Sequence, residues 1–226
     1  MKTSSVATYN FNEHIKVYAG VPVYFTRASV WSGNASFLNG VGNVYSGLYT
    51  IAGSPSTLRY ATDLSFTLPT GNVTGGFSTG HPTVDWTNTF SHSFAAVTPF
   101  ASAGLSNTIS DTTFFVQPFV SDGIVSHVEG GALLNVTRHL TVGGSGFGIH
   151  ATGAQQITTQ RRRGVSRQTL GPLQVAIDQG FSVWATLRPS TNTDLQGGYS
   201  RSMGYQLNTL SFGIGFHFGH GIALIK

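Results

Sequence analysis

Apolar and polar residues alternate along most of this chain. Residues 15–25 place Ile15, Val17, Ala19, Val21, Val23 and Phe25 on one parity and Lys16, Tyr18, Gly20, Pro22 and Tyr24 on the other. Residues 58–68 set Leu58, Tyr60, Leu64, Phe66 and Leu68 against Arg59, Ala61, Asp63, Ser65 and Thr67. Near the end, Leu210, Phe212, Ile214, Phe216 and Phe218 alternate with Thr209, Ser211, Gly213, Gly215 and His217. Period two puts successive side chains on opposite faces of a strand. The pattern predicts eleven strands, at about 4–11, 15–27, 43–52, 57–69, 84–95, 99–110, 123–135, 139–153, 180–189, 194–204 and 207–219. Most match the roughly 9–11 residues that a tilted strand needs to cross a bilayer, longer than the usual globular strand of about 5–6.

The connections are sorted by length. Short ones follow strands one, three, five, seven and nine. Longer ones, at about 28–42, 70–83, 111–122 and 154–179, lie between them, and only 205–206, in the last hairpin, is brief on that side. Short turns on one side and long loops on the other are the plan of an outer-membrane barrel, with the turns periplasmic. The polar parity agrees. The exposed face of a soluble sandwich carries many Lys and Glu, whereas this face is Ser, Thr, Gly and Asn with isolated charges of both signs. Lys16, Arg59, Asp63, Asp85, His127, Glu129 and Arg188 all fall on it, which predicts that they line a lumen and are paired or hydrated there. Phe212, Ile214 and Phe216 then face lipid. Trp86, Tyr24, Phe25, Phe100 and Phe119 lie near strand ends, where an aromatic girdle belongs. Asn88, His92 and Arg201 fall on the apolar parity. An Arg at the midplane would cost about 2–4 kcal/mol, so Arg201 is expected near the outer rim, and Asn88 and His92 mark a bulge or a strand boundary.

Composition narrows the class. Of 226 residues, 9% are charged and 40% apolar, with 29 Gly, against about a quarter charged in ordinary soluble domains. Sixteen Phe, 8 Tyr and 3 Trp exclude disorder. The lack of any apolar run of about 18 residues excludes a helical membrane bundle. With no Cys, thiolate metal sites, disulfides and Cys nucleophiles are excluded. The net charge of +4 is thin. Its one dense patch, Arg161, Arg162, Arg163 and Arg167, sits in the longest predicted loop without interleaved aromatics. Nucleic-acid binding is therefore not expected, and an extracellular loop meeting anionic lipopolysaccharide is. Residues 1–10 show no apolar leader segment. Single-chain bacterial barrels have an even number of strands, and strands one and eleven run in the same direction. The expectation is a single β-barrel domain over 1–226 that lacks a signal peptide and one leading strand, with twelve strands in the parent protein.

A resemblance enters through particular segments. Tyr9-Asn10-Phe11-Asn12-Glu13-His14 leads into Val21-Pro22-Val23-Tyr24. Gly40-Val41-Gly42-Asn43-Val44, Leu64 to Gly71 (LSFTLPTG), Gly76-Phe77-Ser78-Thr79-Gly80 and Val97-Thr98-Pro99-Phe100 follow in order. Over about 8–219 the chain resembles the outer-membrane β-barrel family called MetA-pathway of phenol degradation, transporters of aromatic and other hydrophobic compounds. The chain departs from the pattern at its start and in the tail beyond Phe218. The resemblance implies passage of hydrophobic solutes and no catalytic residue.

Other motifs carry less. Gly143 to Gly148 lacks phosphate-loop spacing and a following helix, so it is expected where backbone and interior side chains approach closely. His92, His127, His217 and His220 form no recurring metal motif. Ser91 or Ser93 with His92 and Asp85 could suggest a hydrolase, but neighbours in a strand point to opposite faces and no nucleophile elbow is present. Asp63 and Glu129 read as lumen ion pairs rather than an acid/base couple. Asn34-Ala35-Ser36, Asn72-Val73-Thr74 and Asn135-Val136-Thr137 are chance glycosylation triplets in so polar a chain. The sequence thus predicts an all-β, antiparallel up-and-down transmembrane barrel in a Gram-negative outer membrane. It would be a channel rather than an enzyme, without cofactor or metal. Its partners would be outer-membrane lipid, lipopolysaccharide, small hydrophobic solutes and the barrel-assembly machinery. A structural or adhesion barrel and a soluble all-β binding module are the alternatives.

Overall fold

The computed structural model describes residues 1–28, 36–54, 56, 58–72, 77–78, 80–107, 119–121, 123–152, 155–161, 164–170, 177–204 and 208–219. Its regular elements are all strands: β1 (Lys2–Asn10), β2 (Ile15–Ala28), β3 (Ser36–Val41), β4 (Tyr45–Gly53), β5 (Arg59–Thr67), β6 (Thr83–Ser91), β7 (Val97–Ser106), β8 (Phe119–Ser121), β9 (Val125–Asn135), β10 (Leu140–Ala151), β11 (Gln155–Arg161), β12 (Gly164–Leu170), β13 (Ile177–Ser190), β14 (Thr193–Ser202) and β15 (Asn208–Gly219). Each of the eleven strands expected from alternation corresponds to one of β1, β2, β4, β5, β6, β7, β9, β10, β13, β14 and β15.

Those eleven close into a barrel. The main sheet has 12 strands in the order β1-β15-β14-β13-β10-β9-β7-β6-β5-β4-β2-β3, and β1 also pairs with β2, which completes the ring. The twelfth strand, β3, stands outside it. It pairs with Val23–Ala28 of β2, beyond the stretch Ile15–Gly20 that β4 occupies. Sequential neighbours are antiparallel, as expected. The closing contact is parallel: β1 runs alongside β15 from Lys2↔Ser211 to Asn10↔Gly219. Parity requires this. Strands that alternate in direction around an odd ring must meet one neighbour running the same way. The sheet is therefore mixed rather than wholly antiparallel.

The long connections hold structure that alternation missed. Residues 155–161 and 164–170, expected as part of a loop, pair as the β11–β12 hairpin, and β8 adds to its edge to make a second sheet of 3 strands. Every other barrel turn is brief. Two are fixed by side chains that cap their own backbone. Asn12 Oδ1 accepts from the amides of His14 and Ile15, both at 2.8 Å, and Thr137 Oγ1 from those of His139 and Leu140 at 3.1 and 3.0 Å.

Burial follows the barrel wall. On β15, Phe212, Ile214 and Phe216 are 49%, 39% and 43% exposed, so they stand on the outer surface. The intervening Ser211, Gly213, Gly215 and His217 are buried or half-buried. The same alternation runs along β7 and β13.

Candidate functional site: the barrel lumen

The inward parity places the charged residues in two zones. Lys16 is the second residue of β2, Arg59 the first of β5, and Arg188 lies two residues before the end of β13. All three occupy the turn side of the barrel. The lumen carboxylates Asp63, Asp85, Glu129 and Asp178 sit midway along their strands or toward the loop side. The seven sequence-predicted lumen residues are half-buried or buried on the inward parity.

Of the seven, Asp85 and His127 pair with each other, whereas Asp63 and Glu129, expected as ion pairs, bond to hydroxyls instead. Each lumen carboxylate takes a hydroxyl, imidazole or amide partner. Tyr18 donates its hydroxyl to Asp63 Oδ1 at 2.8 Å. Ser145 Oγ donates to Glu129. His127 Nε2 lies 3.1 Å from Asp85 Oδ2, with the imidazole 4% exposed. Thr87 also donates to Asp85. The amide of Gly204 donates to Asp178 at 2.8 Å. Nearer the turns, His217 Nε2 meets Asp194 Oδ2 at 2.7 Å, a pair the sequence reading missed although both residues lie on the polar parity. Lys16, Arg59 and Arg188 make no ion pair with a carboxylate among the described residues. Local register explains this: hydroxyl and imidazole donors stand on the strands next to the carboxylates, while the cations lie nearer the turns.

Aromatic rings fill part of the remaining space. Tyr18 and Tyr45 meet edge to face at 6.2 Å, and Lys16 Nζ stands 5.6 Å from the Tyr49 ring centre. Across the lumen Trp184 lies 6.4 Å from Phe100. Gly143 makes room for that indole, since a Cβ there would stand 2.4 Å from the Trp184 ring. Of the glycine run, Gly143 alone lies where backbone and an interior side chain approach closely; at Gly144, Gly146 and Gly148 an added Cβ would find only ordinary contacts at 3.6 Å or more. A cavity of about 250 Å³ remains beside Phe100, Glu129, Trp184, Gln196 and Ser211. Barrels of about eight strands are filled by side chains and those of sixteen hold open water, so a ring of eleven with residual space fits between them.

The expected aromatic girdle needs correction. Phe25 and Trp86 are on the outer surface, and Trp86 donates its indole N–H to Thr62 at 2.8 Å. Tyr24 points inward, 2% exposed and stacked on Phe77 at 5.8 Å, and Phe100 also faces the lumen. Both sit on the parity of lumen residues, and that parity outweighs nearness to a strand end. The side chain of Phe119 lies outside the described residues. Tyr9, Phe11, Phe94 and Phe218 are exposed near the turns instead. Arg201 stands near the loop-side end of β14 and donates to Asn208 at 2.7 Å. Asn88 accepts from Tyr60 at 2.6 Å on the outer wall. His92 lies just past the end of β6.

Arg161 ends β11, and Arg167 lies in β12 opposite Thr158. Arg161 and Arg167 therefore belong to a hairpin rather than to an irregular loop. Arg162 and Arg163 lie outside the described residues, as does His220. No group of three or more His, Asp or Glu able to hold a metal comes together among the described residues.

Fold and lumen define a class, a closed β-barrel of porin-like architecture with a polar, partly aromatic interior and an apolar outer wall. Comparison with protein families and with curated proteins finds no match.

Proposed function

We propose that this chain is a Gram-negative outer-membrane channel through which small hydrophobic or aromatic molecules cross passively. One observation carries the reading. The outer wall presents a continuous belt of exposed apolar side chains, among them Phe66, Trp86, Leu105, Val183, Phe212 and Phe216, around a closed ring with polar residues inside. Soluble monomers rarely expose contiguous apolar patches beyond a few hundred Å². A soluble binding module would turn this face inward. In lipid the same face is solvated, and closure leaves no unpaired strand edge in the ring. The short turns then face the periplasm. The long connections, with the β11–β12 hairpin and its arginines, meet lipopolysaccharide, and the barrel-assembly machinery inserts the chain.

The substrate class rests on the resemblance to the MetA-pathway barrels and is supported by the rings of Tyr18, Tyr45, Tyr49, Phe100 and Trp184 along the lumen. Passage rather than catalysis suits walls that hold each carboxylate in a local hydrogen bond. The test is reconstitution of the full chain in planar bilayers and in vesicles loaded with an absorbing reporter. Discrete conductance steps and entry of a small aromatic solute are expected. Silence in both assays by correctly inserted protein would remove the channel reading and leave a structural or adhesion barrel, which the folded β8–β11–β12 sheet on the loop side could serve.

A further inference from the structure

Lys16, Arg59 and Arg188 come from β2, β5 and β13; only β4 stands between β2 and β5, while β1, β15 and β14 lie between β2 and β13. All three stand at inward positions next to turns. They therefore converge across the turn-side mouth. Three half-buried cations at one mouth repel each other, and confinement strengthens that repulsion relative to water. None of the three forms an ion pair with a carboxylate among the described residues. Asp63, in register with Lys16 across Tyr49 of β4, is held by Tyr18 at 2.8 Å, and Asp194 is held by His217 at 2.7 Å. Glu13 lies outside in the turn and pairs with His14 at 3.4 Å. Asp85, Glu129 and Asp178 stand midway along their strands or toward the loop side, each with its own donor.

We propose that this mouth is an anion-selecting site that takes small organic carboxylates, with the head group among Lys16, Arg59 and Arg188 and the apolar body against the Tyr49, Tyr18 and Tyr45 wall. An anion there relieves the repulsion, and rings of like charge are a general means of selectivity in pores. The inference deepens the channel reading and rests on it for passage, but not for binding.

The test therefore has two arms. In planar bilayers under a KCl gradient, the reversal potential of the unaltered chain should show preference for chloride, and the triple variant Lys16→Gln, Arg59→Gln, Arg188→Gln should lose that preference. In detergent, benzoate should bind the unaltered chain, and the triple variant should bind it at least about tenfold more weakly. The variant Arg59→Lys, Arg188→Lys, which keeps the charge, should retain binding and guards against loss by misfolding. Benzyl alcohol, with the same ring and no charge, should bind far less well. Cation preference in the unaltered channel, equal binding of benzoate by the triple variant, or benzyl alcohol binding as tightly as benzoate would each overturn the proposal. Benzoate binding without any conductance would support the site and reject passage.

Discussion

Gly53 ends β4 with φ at +82°, and a Cβ added there would stand 2.1 Å from the carbonyl oxygen of Leu58. Left-handed backbone costs other L-residues about 1–2 kcal/mol, and the contact adds to it. Gly53→Ala should therefore lower stability by about 1–2 kcal/mol or more, read as an earlier midpoint in urea unfolding of the folded protein. An unchanged midpoint would mean that the β4–β5 turn relaxes freely. Other residue-scale features were only partly legible in the sequence. Parity placed Asp85 and His127 in the lumen, but not 3.1 Å apart, because their pairing depends on the registers of β6 with β7 and of β7 with β9. Tyr24 and Phe100 were misplaced at an interfacial girdle because nearness to a strand end was weighed above parity.

At the scale of the element, each strand has one face for the outer wall and one for the lumen, and a one-residue shift would exchange them. β15 is the clearest case. Ile214→Arg puts a charge on the outer face between Phe212 and Phe216. Near the bilayer midplane this should cost about 2–4 kcal/mol and reduce the fraction that inserts into vesicles, followed by heat-dependent gel mobility. The neighbouring inward change Gly213→Ala is the control. Its new Cβ meets Ser4 Oγ at 3.5 Å and Gln196 Cβ at 3.7 Å, ordinary contacts, so insertion should be unchanged. Equal behaviour of the two variants would contradict an apolar, lipid-solvated exterior. Strand positions were legible because long alternating runs are hard to mistake. β3, β8, β11 and β12 were not, since they are short, lie within polar connections, or add to an existing edge rather than to the alternating wall.

The whole molecule depends on its seam. The parallel β1–β15 contact sets Ala7 opposite Phe216, both on the outer face. Neighbouring strands lie about 4.8 Å apart, within the span a disulfide accepts. The chain has no cysteine of its own, so Ala7→Cys with Phe216→Cys gives a clean readout. Mild oxidation of the folded protein should join the two ends of the barrel, visible as a shift in denaturing gel mobility that reductant reverses. Failure to cross-link in folded protein would mean that the ring closes elsewhere. The same seam governs the lumen, because closure brings β2, β5 and β13 around one axis and gathers Lys16, Arg59 and Arg188 at one mouth.

The sequence by itself determined which residues face out and which face in, where the eleven wall strands lie, and that turns and loops gather at opposite ends. All of these follow from local period and local turn chemistry. Only the tertiary structure decided that the ring closes through a parallel pair, that carboxylates bond to hydroxyls, imidazoles and an amide rather than to Lys16, Arg59 and Arg188, and that these three cations from β2, β5 and β13 share a mouth. Those outcomes depend on register summed around a closed circle, a quantity that no single segment of the chain contains.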